Sequence, residues 1–229
     1  SSMSTVAGYK AVLLAANSLK RFIPMLSTAA GTVYPAKAVI IGAGVAGLQA
    51  IATAKRLGAV VTAFDTRPAV GEQIRSLGAE FAPLDVVHGQ AEDAGGYAKE
   101  MTAEFYKGEQ ELIRKHSKDA DIIISTALVP GKPAPTLITE DMVKEMKPGS
   151  VIVDLVVEQG GNCAVSEAGK DVVKHGVTII GALNLPSTIS VHASQLYSRN
   201  ILNFLNLLAP DKKEIKLDMN DEIIKGSLI

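Results

Sequence analysis

The stretch Ala38-Val39-Ile40-Ile41-Gly42-Ala43-Gly44-Val45-Ala46-Gly47 decides the fold. Its four leading apolar residues, partly β-branched, read as a buried parallel strand. The G-x-G-x-x-G that follows opens into Leu48-Gln49-Ala50-Ile51-Ala52-Thr53-Ala54-Lys55-Arg56-Leu57, a run of good helix formers. Gly42 permits the tight turn, Gly44 lets the backbone approach a pyrophosphate, and Gly47 allows helix and sheet to pack closely. The helix start at Val45 and Ala46 offers unpaired N–H groups and a positive dipole end to phosphates. A glycine-rich turn alone is weak evidence. Here a second strand-like run, Val60-Val61-Thr62-Ala63-Phe64, ends in Asp65. That acid stands roughly 20 residues past the glycines, where a carboxylate accepts the hydroxyls of an adenosine ribose. Strand, glycines, helix, strand and acid follow the order of a dinucleotide-binding unit.

Asp65 also bears on the choice of dinucleotide. A carboxylate there repels the 2′-phosphate of NADP, so NAD(H) is the expected cofactor. Arg67 pulls the other way, since an Arg just past that strand can accommodate a 2′-phosphate. Its other readings are a guanidinium laid against the adenine or paired with a nearby acid. Asp65, as the strand-terminal residue, is the better placed of the two.

The chain of 229 residues is 47% apolar, enough for a sizeable core, and carries a formal net charge of −1. Acidic and basic residues are interspersed, so nothing suggests a nucleic-acid partner or an anionic membrane surface. One cysteine, Cys163, leaves no internal disulfide to form and fits a reducing compartment. With no His nearby in sequence, it reads as a small buried thiol. No apolar run reaches the length of a membrane span, and direct membrane insertion is not expected. His88, His116, His175 and His192 are scattered, and no metal-ligand or nucleophile–base spacing is present. A soluble intracellular protein is expected.

A helix over residues 6–22 and a loop over 27–35 lead to the first strand. Pro68 begins a helix ended by Gly78, and residues 79–82 form a short strand. The segment 83–96 lacks periodicity and is long for a loop in a compact domain. A charged helix over 97–118 returns to a strand over 121–126. A proline-stiffened loop, 129–135, precedes a short helix capped by Thr139. Strands over 150–154 and 177–180, a helix over 190–208 and a polar, loosely held tail complete the chain. This alternation predicts an α/β fold, a doubly wound parallel sheet of Rossmann type with flanking helices. Its ligand belongs at the carboxyl ends of the strands.

Four further runs are more specific than the glycine turn. Ala29-Ala30-Gly31-Thr32-Val33, Ala94-Gly95-Gly96-Tyr97-Ala98-Lys99-Glu100-Met101, Thr126-Ala127-Leu128-Val129-Pro130-Gly131-Lys132-Pro133-Ala134-Pro135 and Glu158-Gln159-Gly160-Gly161-Asn162-Cys163 resemble the NAD-binding component of proton-translocating NAD(P) transhydrogenase. Alanine dehydrogenases share that fold. The resemblance covers essentially the whole chain and implies an activity. A soluble domain binds NADH and passes hydride directly to NADP(H) on a partner domain, while a membrane domain couples the transfer to proton movement. It implies a homodimer, and a place on the cytoplasmic side of a bacterial inner membrane or the matrix side of a mitochondrial one. The family's component has two lobes, and an N-terminal lobe has no counterpart here. The resemblance therefore divides the chain into a linker helix and loop over 1–35, the nucleotide domain over 36–185, and a C-terminal helix and tail over 186–229.

Carried over residue by residue, the resemblance assigns the pyrophosphate to Gly42, Gly44, Val45, Ala46 and Gly47, and the adenosine end to Asp65, Thr66 and Arg67. Gly96 and Tyr97 belong to a loop that closes over the nucleotide, with Met101 on the same apolar face. Glu109 is implied as a polar contact; without the resemblance it reads as part of a solvated helix face. Leu128 walls the nicotinamide pocket, with a core leucine as its other reading. Ser1 or Ser2 matches a serine near the carboxamide. No catalytic side chain is expected, because hydride exchange between two nicotinamides needs ring apposition and exclusion of water, not an acid or base. An amino-acid dehydrogenase needs both an acid–base group and cations for the substrate carboxylate. At Glu158 alanine dehydrogenases carry an Asp that takes part in that chemistry. A non-catalytic NAD-binding module is the third possibility.

Overall fold

The structure, a computed structural model, describes residues 1–83, 102–129, 131–210 and 214–228. The glycine-bearing stretch forms β3 (Lys37–Ile41), the turn and α2 (Val45–Arg56). Two short strands precede it, β1 (Leu26–Thr28) and β2 (Gly31–Val33), after α1 (Ser2–Ser18). The remaining strands are β4 (Val60–Phe64), β5 (Glu80–Phe81), β6 (Ile122–Ser125), β7 (Val151–Asp154), β8 (Asp171–Lys174) and β9 (Val177–Gly181). They make one seven-stranded sheet in the order β5-β4-β3-β6-β7-β9-β8. All pairings are parallel except β8 with β9. Strand order reverses between β3 and β6, which opens a crevice at their carboxyl ends.

Alternation along the strands feeds two cores. Ala38, Ile40, Ile122, Ile124, Val151 and Val153 face α1, α2 and α3 (Gly71–Ser76). Val39, Ile41, Ile123, Ile152 and Ile179 face Ile113 of α4 (Ala103–Ser117) and Met142 of α5 (Glu140–Glu145). Helices on both faces make the sheet doubly wound, as expected. Thr139 caps α5, its hydroxyl accepting from the Met142 N–H at 3.3 Å. Thr102 caps α4 in the same way through the Phe105 N–H.

Several local expectations need correction. Residues 26–33 are not a plain loop but the antiparallel hairpin of β1 and β2, its turn braced by the Thr28 hydroxyl, which accepts from the Ala30 N–H at 3.1 Å. The first helix starts at Ser2 and stops at Ser18, leaving Arg21 free to pair with Asp121 at 2.7 Å. The segment after Pro68 begins as a 3₁₀ turn (Pro68–Val70) before α3. The sheet has an additional antiparallel edge strand, β8, absent from the sequence reading. The tail contains α7 (Glu222–Ser227), capped by Asp221 and anchored by buried Ile224. α6 (Ser190–Leu208) spans the expected range.

Candidate functional site

A cavity of about 580 Å³ lies over the carboxyl ends of β3, β4 and β6. The glycine turn forms its floor. Gly42 has φ +89°, and a Cβ there would lie 2.7 Å from Thr126 Oγ1. That hydroxyl donates to the Gly42 carbonyl at 3.0 Å, tying the end of β6 to the turn. A Cβ on Gly47 would fall 1.8 Å from the Gly42 carbonyl oxygen, so α2 starts in backbone contact with the turn. Gly44 differs. Its φ is −71° and, among the described residues, a Cβ would meet nothing within 4 Å, so the described fold does not itself require a glycine here. Gly44 is also the N-cap of α2, and among the described residues no side chain accepts from the first-turn N–H groups. Val45 and Ala46 line the cavity beside them; Val45 is exposed and takes no part in the core.

Asp65 leaves β4 with its carboxylate nearly buried. Oδ2 accepts from the Ala43 N–H at 2.7 Å and from the Arg67 guanidinium at 2.9 Å. Oδ1 accepts from the Arg67 N–H and Nε at 2.9 and 2.8 Å. Of the sequence readings of Arg67, the pairing with a nearby acid is the one seen, and Thr66 lines the cavity between the two. Glu109 on α4 also lines the cavity, within electrostatic reach of Asp65. It is only 3% exposed, so the solvated-face reading does not hold. Burial, then the negative charge of Asp65, pushes its carboxyl up to about 7.

The β6 side of the cavity is largely apolar. Ala127, Leu128, Val129, Pro135 and Leu137 form it beside Thr126, whose hydroxyl is engaged by the glycine turn. Leu128 is 37% exposed and therefore a wall residue and not a core leucine. The start of α1 closes the rim with Ser1 and Ser4. Ser2 instead accepts a hydrogen bond from Asn200 of α6 at 2.9 Å. Gly8 explains this approach, because a Cβ there would sit 2.0 Å from the Ala46 carbonyl oxygen. Gly96, Tyr97 and Met101 lie outside the described residues, as do His88 and Pro130. Glu158 is exposed on a 3₁₀ turn (Val157–Gln159) and does not line the cavity. Cys163 is buried, its thiol pushed up to about 11 chiefly by burial, an inert state.

The sequence reading missed Ser4, Gln73 and Tyr106 as lining residues. Tyr106 was findable, since it precedes Glu109 by three positions and shares its helix face. Ser4 and Gln73 carried no local signal.

Comparison with known proteins agrees with this architecture. Residues 11–229 match the family described as alanine dehydrogenase/PNT, C-terminal domain, and the chain belongs to it. It is 54% identical to the first portion of the NAD(P) transhydrogenase alpha subunit of Rhodospirillum rubrum, covering 100% of this chain and 60% of that protein. The crystal structure of transhydrogenase from Sinorhizobium meliloti superposes with a TM-score of 0.81 at 47% identity, over 98% of this chain and 59% of that one. An alanine dehydrogenase of Staphylococcus epidermidis is 32% identical over 90% of this chain and 52% of its own length. The chain thus spans about 60% of the length of these two transhydrogenase relatives.

Proposed function

We propose that this chain is the NAD(H)-binding lobe of a proton-translocating transhydrogenase, and that it presents the nicotinamide for direct hydride transfer to NADP(H) on a partner domain. The observation that carries this reading is the polarity of the cavity. Its β4 end holds Asp65, Arg67 and Glu109, its floor offers uncapped helix N–H groups, and its β6 end is largely apolar. The pyrophosphate lies on the start of α2, the adenosine ribose exchanges with Arg67 for the Asp65 carboxylate, and the nicotinamide rests against Leu128. The carboxylate favours NAD over NADP. When bound, the nucleotide supplies the hydride. The chain's own residues bind and orient it and shield one ring face from water.

The cavity argues against amino-acid dehydrogenation. Among the described lining side chains the one cation, Arg67, is engaged by Asp65 at the far end, and Glu158 is absent from the wall. Among the described residues, a substrate carboxylate has no lining cation to meet on the β6 side. Residues 1–35 and 186–229 serve in this reading as the connection to a further lobe. No helix among the described residues is long and apolar enough to cross a membrane; in this reading a partner component supplies the membrane path. The lobe then works on the cytoplasmic face, or on the matrix face in a mitochondrion. In solution the lobe pairs as a homodimer.

The test mixes the intact protein with an NADP-binding partner and measures NADH-dependent reduction of an NADP analogue. Turnover supports the proposal. Bound NADH without turnover would favour a binding module, and oxidation of NADH that depends on pyruvate and ammonia would favour alanine dehydrogenase.

A further inference from the structure

β7 ends in Asp154, which is fully buried. Its Oδ1 accepts from the Val156 N–H at 3.1 Å. Its Oδ2 accepts from the Cys163 N–H at 3.0 Å and the Ser166 hydroxyl at 2.6 Å. Between those anchors the chain doubles back through Gly160 and Gly161, at φ +105° and +79°. A Cβ on Gly161 would lie 2.8 Å from Asp154 Oδ2, so this fold-back has no room for a larger residue. Its outcome is to drive Asn162 under the loop that follows β6.

The Asn162 side chain is fully buried. Its Oδ1 accepts from the Ala127 N–H at 3.0 Å, and its Nδ2 donates to the Ala127 and Pro135 carbonyls at 3.0 and 2.8 Å. Its backbone carbonyl accepts from the Leu137 and Ile138 N–H groups, both at 2.9 Å. One residue therefore holds both feet of the loop that supplies Leu128. It does so from behind, since Asn162 itself does not line the cavity. A buried primary amide with three satisfied bonds to backbone fixes geometry and has no other partner to turn to.

We propose that Asn162 is a positioning residue for the nicotinamide end of the site: it sets the Ala127–Val129 wall, and through it the pose of the ring, without touching the nucleotide. The inference rests on the nucleotide assignment above. That assignment places the adenosine end at Asp65, on the far side of the glycine turn from this wall. Loosening the wall therefore penalises a ligand only if it carries a nicotinamide.

The experiment compares NADH with ADP-ribose, which lacks the ring, by calorimetry on the intact protein and its Asn162→Asp and Asn162→Ala variants. Asn162→Asp keeps the acceptor for the Ala127 N–H and turns an oxygen toward two carbonyls. NADH affinity is expected to fall roughly tenfold, the equivalent of 1.4 kcal/mol, and ADP-ribose affinity to stay within about twofold. Hydride transfer to an NADP analogue should fall on the order of a hundredfold, as misplacement of reacting groups by an ångström does. Ser166→Ala, which removes one contact to Asp154 and slackens the same segment, should shift the NADH to ADP-ribose ratio in the same direction by a smaller factor. It keeps the test decisive if both Asn162 variants fail to fold. Equal losses for both ligands, or unchanged NADH binding, overturn the inference and leave the nucleotide assignment standing. A wild-type protein that binds neither ligand overturns both.

Discussion

At the scale of single residues, two carboxylates divide the work at the β4 end of the cavity. Asp65 is locked by Ala43 and Arg67 and so orders the glycine turn; in the proposed function it also selects the ribose. Asp65→Asn keeps an acceptor for the Ala43 N–H but loses the charge. NADH binding is expected to weaken by about 1–3 kcal/mol, as for a lost charge-assisted hydrogen bond, and the penalty against NADPH should shrink. Calorimetry with both nucleotides checks this, and unchanged affinities would reassign the adenosine end. Glu109 has no hydrogen-bond partner among the described residues, and its carboxyl is raised from 4.5 to about 7. The folded protein therefore holds this proton between about pH 4.5 and 7 while the unfolded chain has released it. Glu109 contributes full stability below that window and loses it as pH rises to about 7, a change of about 3 kcal/mol. Chemical denaturation should show this slope in the difference between the wild type and Glu109→Gln. Above pH 7 the ionised pair with Asp65 also opposes an anionic nucleotide. NADH affinity should decline there in the wild type and stay flat in the variant.

Among the elements, α2 separates two kinds of glycine. Gly47 is structural, because its Cβ would strike the Gly42 carbonyl. Gly47→Ala should lower stability by about 1–3 kcal/mol or more, the cost of overpacking a rigid contact, read as a fall in the denaturation midpoint. Gly44 meets no described residue and has an ordinary φ, so Gly44→Ala should fold with a midpoint close to the wild type's and still lose nucleotide affinity. A Gly44→Ala protein that binds NADH normally would remove the pyrophosphate from this turn. The same reasoning applies to α1, which reaches the cavity rim only because Gly8 lets two backbones meet. Element ends thus set the site more than element interiors do.

For the whole molecule the open question is what α6 leaves uncovered. Its single buried residue is Ala193, whereas Tyr197, Ile201, Leu202 and Leu205 are exposed. α1 touches α6, for example through Ser2 and Asn200, but does not hide that stripe. Apolar surface of this extent marks an interface, and two-fold pairing is the commonest closed assembly. Light scattering over a dilution series is expected to give the mass of a dimer at micromolar concentration. A folded, soluble monomer under those conditions would remove the dimer and leave the stripe to another lobe.

The sequence by itself determined the sheet's central strands, the glycine turn and Asp65, because each is written in a short local pattern: an apolar run, a required positive φ, an acid at a strand end. The capped starts of α4 and α5 have the same local origin, although the α4 cap fell inside a longer expected helix. Elsewhere local signals were present but atypical. β8 and β9 meet at His175-Gly176, both at positive φ, in a two-residue turn where Asn-Gly or Asp-Gly is usual. The hairpin of β1 and β2 turns at Ala29-Ala30, which carries no turn signature and is held by the Thr28 side chain. Only the tertiary structure decided the rest. Glu109 sits in a charged helical segment, and its burial follows from where α4 docks beside Asp65. Asn162 acts across 35 residues of chain on Ala127. Period and propensity describe neighbours along the chain, whereas desolvation and buried hydrogen bonding depend on which distant segments are brought together.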